Sequence, residues 1–195
     1  MTLLHALISF ALAATPTEGD LIFHTSRSTQ SEAIQLATAS PYSHVGIITF
    51  QNGEPMVYEA VQTVKTTPLP EWIARGEGGK YRLMRTVEPL DNRQLESMKT
   101  IGQKHQQKRY DIRFEWSDEK MYCSELVWKI YKEGAGIQLS KPRTMDSYHI
   151  GNPEVRRTIE ARWGASVNWK ENMVAPSDLA ESPLLKVVSD TTGRQ

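Results

Sequence analysis

Residues 44–61 read HVGIITFQNGEPMVYEAV, and this stretch decides the fold. Two runs rich in β-branched and aromatic residues flank Asn52-Gly53, the dipeptide that most strongly favours a two-residue hairpin turn. Such a turn fixes the register, because Gln51 then pairs with Glu54 and each step outward pairs the next residue on either side. The segment therefore predicts an antiparallel β-hairpin.

The same register places two polar side chains on one face of the hairpin. Gly46 pairs with Glu59, and His44 stands two residues before Gly46. Since side chains alternate along a strand and paired residues share a face, His44 and Glu59 are diagonal neighbours with Cα atoms about 7–8 Å apart. A long carboxylate can bridge that gap to a ring nitrogen, and Gly46 leaves space beside the pair. The alternative is a solvent-facing polar pair, and a slip of one residue would separate the two faces.

The one cysteine of the chain, Cys123, opens a second decisive segment. Apolar residues follow it at i+3, i+4 and i+7, which predicts a core-facing helix from about Tyr122 to Lys132. A thiol in the first helical turn lies beside unpaired N–H groups and the positive end of the dipole, which favour a thiolate and could bind an oxyanion. The alternative is a small apolar residue in a packed helix.

Cys123, His44 and Glu59 together supply a nucleophile, a base and a group that orients the base. A glutamate that holds the imidazole would fix its tautomer and stabilise an imidazolium beside a thiolate. The other histidines lack metal-ligand spacing, and no serine stands in a G-x-S-x-G elbow. We therefore expect cysteine chemistry with no metal and no cofactor.

Turn residues and hydrophobic periodicity divide the rest of the chain into short elements. Strands are predicted at 21–24, 64–67, 80–87 and 184–188, and helices at 31–38, around Trp72, at 89–106, at 152–162 and as a turn at 176–178. Strands and helices in separate blocks with hairpin connections indicate an α+β fold with an antiparallel sheet.

Composition excludes several classes of protein. The 195 residues include 23 basic and 23 acidic side chains, so the electrostatic footprint of a nucleic-acid binder or of a polybasic membrane signal is missing. The charged aromatic loop from Lys108 to Lys120 is accordingly interpreted as a rim. A single cysteine excludes an internal disulfide framework and a zinc site built from several thiolates.

Residues 1–14, MTLLHALISFALAA, have the pattern of an export signal. Their apolar run is shorter than the roughly 20 residues that span a bilayer, and it ends in small residues that a signal peptidase accepts. No Lys or Arg precedes the run, so the alternative is a core helix of a cytoplasmic protein. We expect a signal peptide at 1–14, one exported, periplasmic domain at 15–195, and no transmembrane segment in the mature chain.

Short blocks in a distinctive order carry a family resemblance. They are Gly19-Asp20-Leu21-Ile22-Phe23, Ser40-Pro41-Tyr42-Ser43-His44-Val45-Gly46-Ile47, Tyr58-Glu59-Ala60, Tyr110-Asp111 and Tyr122-Cys123-Ser124-Glu125-Leu126-Val127-Trp128. From about residue 18 to residue 179 the chain resembles the YiiX/YebB-like branch of the NlpC-type cysteine hydrolases. The resemblance implies a circularly permuted papain-like fold, with an antiparallel sheet or half-barrel packed against helices and the His strand before the Cys helix.

The resemblance also implies roles for matching residues: Cys123 as nucleophile, His44 as base and Glu59 as the third polar residue. Within the same blocks, three further residues are expected to bind substrate, although the first of them could simply pack: Tyr122, Tyr42 and Asp20.

The substrate stays open at this point. Many relatives cut amide bonds in cell-wall peptides, and other permuted relatives act on lipid acyl groups. The leading hypothesis is an amidase or peptidase that forms a thioester acyl-enzyme on cell-wall-type peptides. One alternative is a lipid or fatty-acyl hydrolase or acyltransferase on the same three residues, which predicts an apolar groove beside Cys123. Another alternative is a non-catalytic binding module on this fold.

Overall fold

The chain folds around a six-stranded antiparallel sheet, and the computed structural model describes residues 15–28, 30–164 and 166–193. The strands are β1 (Leu21–His24), β2 (His44–Gln51), β3 (Glu54–Ala60), β4 (Val64–Pro68), β5 (Arg82–Thr86), β6 (Arg143–Thr144), β7 (Asn172–Met173) and β8 (Leu185–Asp190). The large sheet has the order β4-β3-β2-β1-β5-β8, and β6 pairs with β7 in a small separate sheet. Helices and an antiparallel sheet confirm the predicted α+β class.

The hairpin of β2 and β3 has the predicted register. Gln51 pairs with Glu54, and the pairing continues to Ile47 opposite Tyr58. Asn52 and Gly53 have φ angles of 52° and 83°, the left-handed values that a two-residue turn of this kind requires. The space beside Gly46 is not open, however, because a Cβ there would lie 2.4 Å from Cγ1 of Val57. Glycine at this position lets the two strands pack closely.

Six α-helices cover the sheet and its ends within the described ranges. They are α1 (Ser31–Thr38), α2 (Leu69–Arg75), α3 (Asn92–His105), α4 (Cys123–Lys129), α5 (Pro153–Trp163) and α6 (Pro176–Ala180). Helix α4 does not end near Lys132 as predicted, since a π-helical turn continues it to Ala135 and Gly136 ends it at φ 73°. Gly134 permits close packing on α3, because a Cβ there would lie 2.6 Å from the Met98 Cα.

Two apolar clusters pack on opposite faces of the sheet, and this division positions the site. Phe23 and Val45 face the larger cluster, which also holds the buried face of α4. Ile48 and Val57 face the smaller cluster, which Trp72 of α2 covers. His44 has the parity of Ile48, so its side chain leaves β2 on the Trp72 side while the adjacent Val45 packs toward α4.

Among the residues that the structure describes, no helix is long and apolar enough to cross a membrane. Residues 1–14 lie outside those ranges, so the signal peptide and the domain boundary at residue 15 stay predictions.

Candidate active site

The structure brings His44 and Glu59 into direct contact across the hairpin. Nε2 of His44 lies 2.7 Å from Oε2 of Glu59, and the glutamate is fully buried. This is the contact that the register predicts, with the first residue of β2 reached diagonally from β3. A hydrogen bond at Nε2 fixes the orientation of the ring and leaves Nδ1 as the nitrogen for another partner.

Three further donors surround the Glu59 carboxylate. The Thr67 hydroxyl donates to Oε1 at 2.6 Å, the Trp72 indole donates to Oε2 at 3.0 Å, and the Arg75 guanidinium donates to Oε1. Burial alone would raise the pKa of Glu59, but its hydrogen bonds with His44 and Thr67 and the charges of His44 and Arg75 outweigh it and lower the pKa to about 2. The site therefore holds a fixed negative charge behind the imidazole. The sequence indicated none of these three donors.

Cys123 is the first residue of α4, and its thiol is hydrogen-bonded to the side chain of His44. Burial would raise the pKa of the thiol, but the bond to His44, its charge and the backbone N–H of Val45 lower it. Burial likewise opposes ionisation of His44, yet hydrogen bonds to Cys123 and Glu59 raise its pKa to about 9. The arrangement favours a thiolate–imidazolium pair, a reactive form of cysteine.

Tyr110 is a site residue, although the sequence placed it only in the loop from Lys108 to Lys120, which was interpreted as a rim. Its hydroxyl is hydrogen-bonded to the Cys123 side chain and accepts a bond from Nε2 of Gln30 at 2.8 Å. Burial raises the pKa of Tyr110 well above its ordinary value, so the phenol keeps its proton and can donate it. The only sequence signal for this position was the Tyr110-Asp111 block.

The three expected substrate-binding residues lie in different surroundings. Tyr122 is buried directly before the nucleophile, and its hydroxyl accepts from the Val174 N–H at 3.2 Å. Tyr42 is buried in the core, with its ring centroid 5.7 Å from that of Phe23. Asp20 is buried directly before β1, whereas His24, which pairs with His44, lies at the other end of that strand. The Asp20 carboxylate is paired with Arg85 at 2.7 Å. The structure thus brings Tyr122 to the site but neither Tyr42 nor Asp20.

A small apolar cavity of about 70 Å³ has Cys123 among its lining residues. Helices α1 and α5 and the segment around β7 form its walls, and Arg162 is the one charged residue among the described residues that line it. Its apolar lining comprises Ala33, Ile34, Ala37, Ile112, Phe114, Tyr122, Met145, Tyr148, Ile150, Val155, Ile159, Trp163, Met173, Val174, Ala175 and Pro176.

Comparison with known proteins identifies the family of the chain. Residues 15–189 match the family described as permuted papain-like amidase enzyme, YaeF/YiiX, C92 family. The chain belongs to this family. It is 38% identical over 190 residues to the uncharacterized protein YiiX of Escherichia coli strain K12, and the match covers 97% of this chain and 94% of that one. The crystal structure of metalloprotein yiiX from Escherichia coli O157:H7 superposes with a TM-score of 0.87 at 40% identity, covering 90% of this chain and 97% of that one.

Membership of the YaeF/YiiX family confirms the predicted permuted papain-like fold and the enzyme class. The protein is a cysteine hydrolase of the amidase and peptidase type. The strand that carries His44 precedes the helix that carries Cys123, in the permuted order. Catalytic roles for Cys123, His44 and Glu59 stay a prediction, which the contacts among the three side chains make directly testable.

The Glu59 carboxylate should control the reactivity of the thiol. Glu59→Gln keeps the side-chain size but removes the charge that raises the pKa of His44, so less thiolate should form in weakly acidic solution. We expect alkylation of Cys123 by iodoacetamide near pH 6 to slow by about tenfold or more, equivalent to a pKa rise of about one unit. Because the chain has one cysteine, intact mass reports this residue alone.

Glu96→Gln on α3 is the matched control, since this glutamate side chain is 73% exposed and pairs with Lys99 at 3.2 Å, away from the thiol. It should react like the unmodified protein. Equal alkylation rates for Glu59→Gln and the control would show that the carboxylate does not activate the thiol.

Proposed function

We propose that this protein is an amidase that transfers a slim apolar acyl group to Cys123 and then to water. The observation that carries the proposal is the apolar cavity that Cys123 helps to line, because an acyl group bound there would lie beside the sulfur. An amide substrate agrees with the amidase class of the family. Exported, periplasmic action remains part of the proposal, on the strength of residues 1–14.

The reaction would proceed in two steps. The Cys123 thiolate attacks the amide carbonyl and forms a C–S bond, and the tetrahedral intermediate then expels the amine as the C–N bond breaks. The proton for the leaving nitrogen comes from the His44 imidazolium, which Glu59 keeps in orientation. Neutral His44 next takes a proton from water, whose oxygen attacks the thioester and releases the carboxylic acid and the thiolate.

Two donors are available for the oxyanion of each intermediate. The Tyr110 hydroxyl is hydrogen-bonded to the Cys123 side chain, and burial raises its pKa so that it keeps its proton. The backbone N–H of Cys123 precedes the helical ladder, which begins with Leu126 N–H to Tyr122 O at 3.0 Å. Donors set in place before the reaction stabilise negative charge that develops at the former carbonyl oxygen.

The chemistry of the cavity favours an apolar acyl group over a polar cell-wall peptide. Its described lining includes no acid and a single base, Arg162, and a charged or zwitterionic acyl part would lose hydration there without gaining ionic partners. The sequence left open a fatty-acyl substrate, which requires an apolar groove beside Cys123. The apolar cavity supports that substrate, and the proposal combines it with the amidase reaction. Because the acyl group passes from the thioester to water, the proposed reaction is a hydrolysis.

A metal ion does not fit the residues at this site. The relative from E. coli O157:H7 carries the name metalloprotein yiiX. In the described part of this chain, no three His, Cys, Asp or Glu side chains come together to hold a metal ion. Both oxygens of Glu59 already accept hydrogen bonds, one of them from the positively charged Arg75, which disfavours a cation. No step of the proposed reaction passes through a metal.

Activity should increase with the length of an unbranched acyl chain. Each buried methylene contributes about 0.8 kcal/mol, so the four additional methylenes of N-hexanoylglycine should raise kcat/KM above that for N-acetylglycine by up to about 200-fold when all of them are buried. Ala37→Phe would fill part of the cavity and remove most of this gain. The measurement is release of glycine, with a polar cell-wall-type peptide as the competing substrate.

Leu36→Phe is the control, because Leu36 is the neighbouring residue on α1 but lies at the surface, 37% exposed. It should preserve the dependence on chain length. A preference for the polar peptide, or a flat dependence on chain length, would contradict an acyl group in this cavity.

Removing the Tyr110 hydroxyl should slow the chemical steps more than substrate binding. Loss of one oxyanion donor commonly lowers kcat by about 10²- to 10³-fold. We expect kcat of the Tyr110→Phe variant to fall by roughly that amount, with little change in KM. Single-turnover formation and decay of the acyl-enzyme, followed by intact mass, would locate the loss in both steps.

Tyr81→Phe provides the control, since Tyr81 does not line the apolar cavity and packs against the cluster on the opposite side of the sheet. Unchanged kcat in Tyr110→Phe would assign oxyanion stabilisation to other donors.

A further inference from the structure

A second cavity lies on the histidine side of the site. It has a volume of about 530 Å³, within the range typical of ligand pockets, and it is bordered by His44 and Tyr110. Most of its lining is polar: His24, Ser26, Arg27, Ser28, Gln30, Ser43, His44, Val61, Ala74, Arg75 and Tyr110. We name it the polar cavity.

The two cavities meet the catalytic side chains on different sides. Cys123 lines the apolar cavity, His44 lines the polar cavity, and Gln30 lines both. In amide cleavage the acyl carbon bonds to the sulfur, while the leaving nitrogen takes its proton from the imidazolium. The acyl half of a substrate therefore belongs beside Cys123, and the leaving amine belongs beside His44, which lines the polar cavity.

The charge of the polar cavity is positive. Arg27 and Arg75 both line it, and none of its described lining residues is an Asp or a Glu. Arg75 is paired with Glu59 behind the imidazole, whereas Arg27 is exposed and makes no ion pair with any residue in the described ranges. Arginine presents a planar fork of N–H donors that matches carboxylate and phosphate groups.

Hydroxyl groups on the loop between β1 and α1 add further donors around Arg27. The hydroxyls of Ser26 and Ser28 lie 2.8 Å apart, so one donates to the other and the second proton is available to a ligand. The Ser43 hydroxyl accepts from the N–H of Ser26 at 2.8 Å and from the Ser31 hydroxyl at 2.7 Å, which holds this end of the loop in place. The loop thus combines a basic side chain with a hydroxyl donor at one wall of the cavity.

We propose that the polar cavity binds the leaving half of the substrate and that this half is an amine carrying an anionic group, a carboxylate or a phosphate, held by Arg27. The proposal rests on the proposed function, since it names the other side of the amide that Cys123 cleaves. The full substrate class is then an apolar acyl group joined through an amide to an anionic amine, such as an N-acyl amino acid or an N-acyl phosphoethanolamine.

One arm of the test requires no turnover and reads the charge of the cavity through the thiol. Cys123 is modified with a pair of methanethiosulfonates of similar length, one carrying an anionic sulfonatoethyl group and one a cationic trimethylammonioethyl group. In the protein without substitutions, Cys123 should react faster with the anionic reagent than with the cationic one. Arg27→Gln should lower the anionic-to-cationic rate ratio by about two- to fivefold, Arg27→Lys should retain most of it, and added salt should reduce it.

Arg93→Gln on α3 is the control, because Arg93 is exposed and lines neither cavity. It should leave the rate ratio at the value of the unmodified protein. An unchanged ratio in Arg27→Gln would overturn the assignment of Arg27 to an anion.

The second arm measures kcat/KM for N-hexanoylglycine, N-hexanoylphosphoethanolamine and the neutral N-hexanoylglycinamide. We expect one of the two anionic substrates to exceed the neutral one by about two- to fivefold, which identifies the anion, and we expect Arg27→Gln to remove the difference. Equal rates for all three substrates in the unmodified protein would overturn the proposal. Failure of the acyl-amidase proposal looks different: no acyl amide is hydrolysed, while the reagent ratio still reports the anion site.

Discussion

The site depends on one buried contact, the hydrogen bond between the Glu59 carboxylate and the His44 imidazole. A carboxylate without water around it is costly unless donors surround it, and here Thr67, Trp72 and Arg75 supply them. With its charge fixed, Glu59 favours a protonated imidazole, and the protonated imidazole in turn favours a thiolate on Cys123. The hairpin register is essential to these contacts, because it determines whether His44 and Glu59 lie on the same face of the sheet.

Two cavities, one apolar and one polar, border the contacting side chains of Cys123 and His44. Cys123 lines the apolar cavity and His44 lines the polar cavity, which matches the division of an amide into an acyl half and an amine half. Gln30 lies at the junction and hydrogen-bonds the Tyr110 hydroxyl that faces the sulfur. A substrate with an apolar acyl group and an anionic amine would therefore be bound at both ends, with its scissile bond held between the two cavities.

Local chemistry explains what could be predicted from the sequence. Asn52-Gly53 specifies a turn whose geometry fixes the register, and from that register alone His44 and Glu59 share a face. The apolar spacing after Cys123 placed the thiol at the start of a helix for an equally local reason. The helix continues to Ala135, past the predicted Lys132, because Gly134 packs against α3 and the contact partner lies far away in the sequence.

Long-range packing explains what the sequence did not indicate. Tyr110 reaches the thiol from a loop whose path is set by tertiary contacts, including the pairing of residue 63 with residue 109. Both cavities form between elements distant in sequence, so no spacing rule reveals them. Asp20 and Tyr42, expected to bind substrate, are instead buried with Arg85 and Phe23, because a polar or aromatic residue in a short block does not show which way it faces.

The most direct test of the central claim is the thiolate absorbance in the far ultraviolet, titrated with pH and corrected with Cys123→Ser. Since this is the single cysteine, the signal reports one sulfur. The account predicts thiolate already present in weakly acidic solution and lost when Glu59→Gln is titrated under the same conditions. An absorbance that rises only around pH 8.5, the ordinary value for a free thiol, would contradict it.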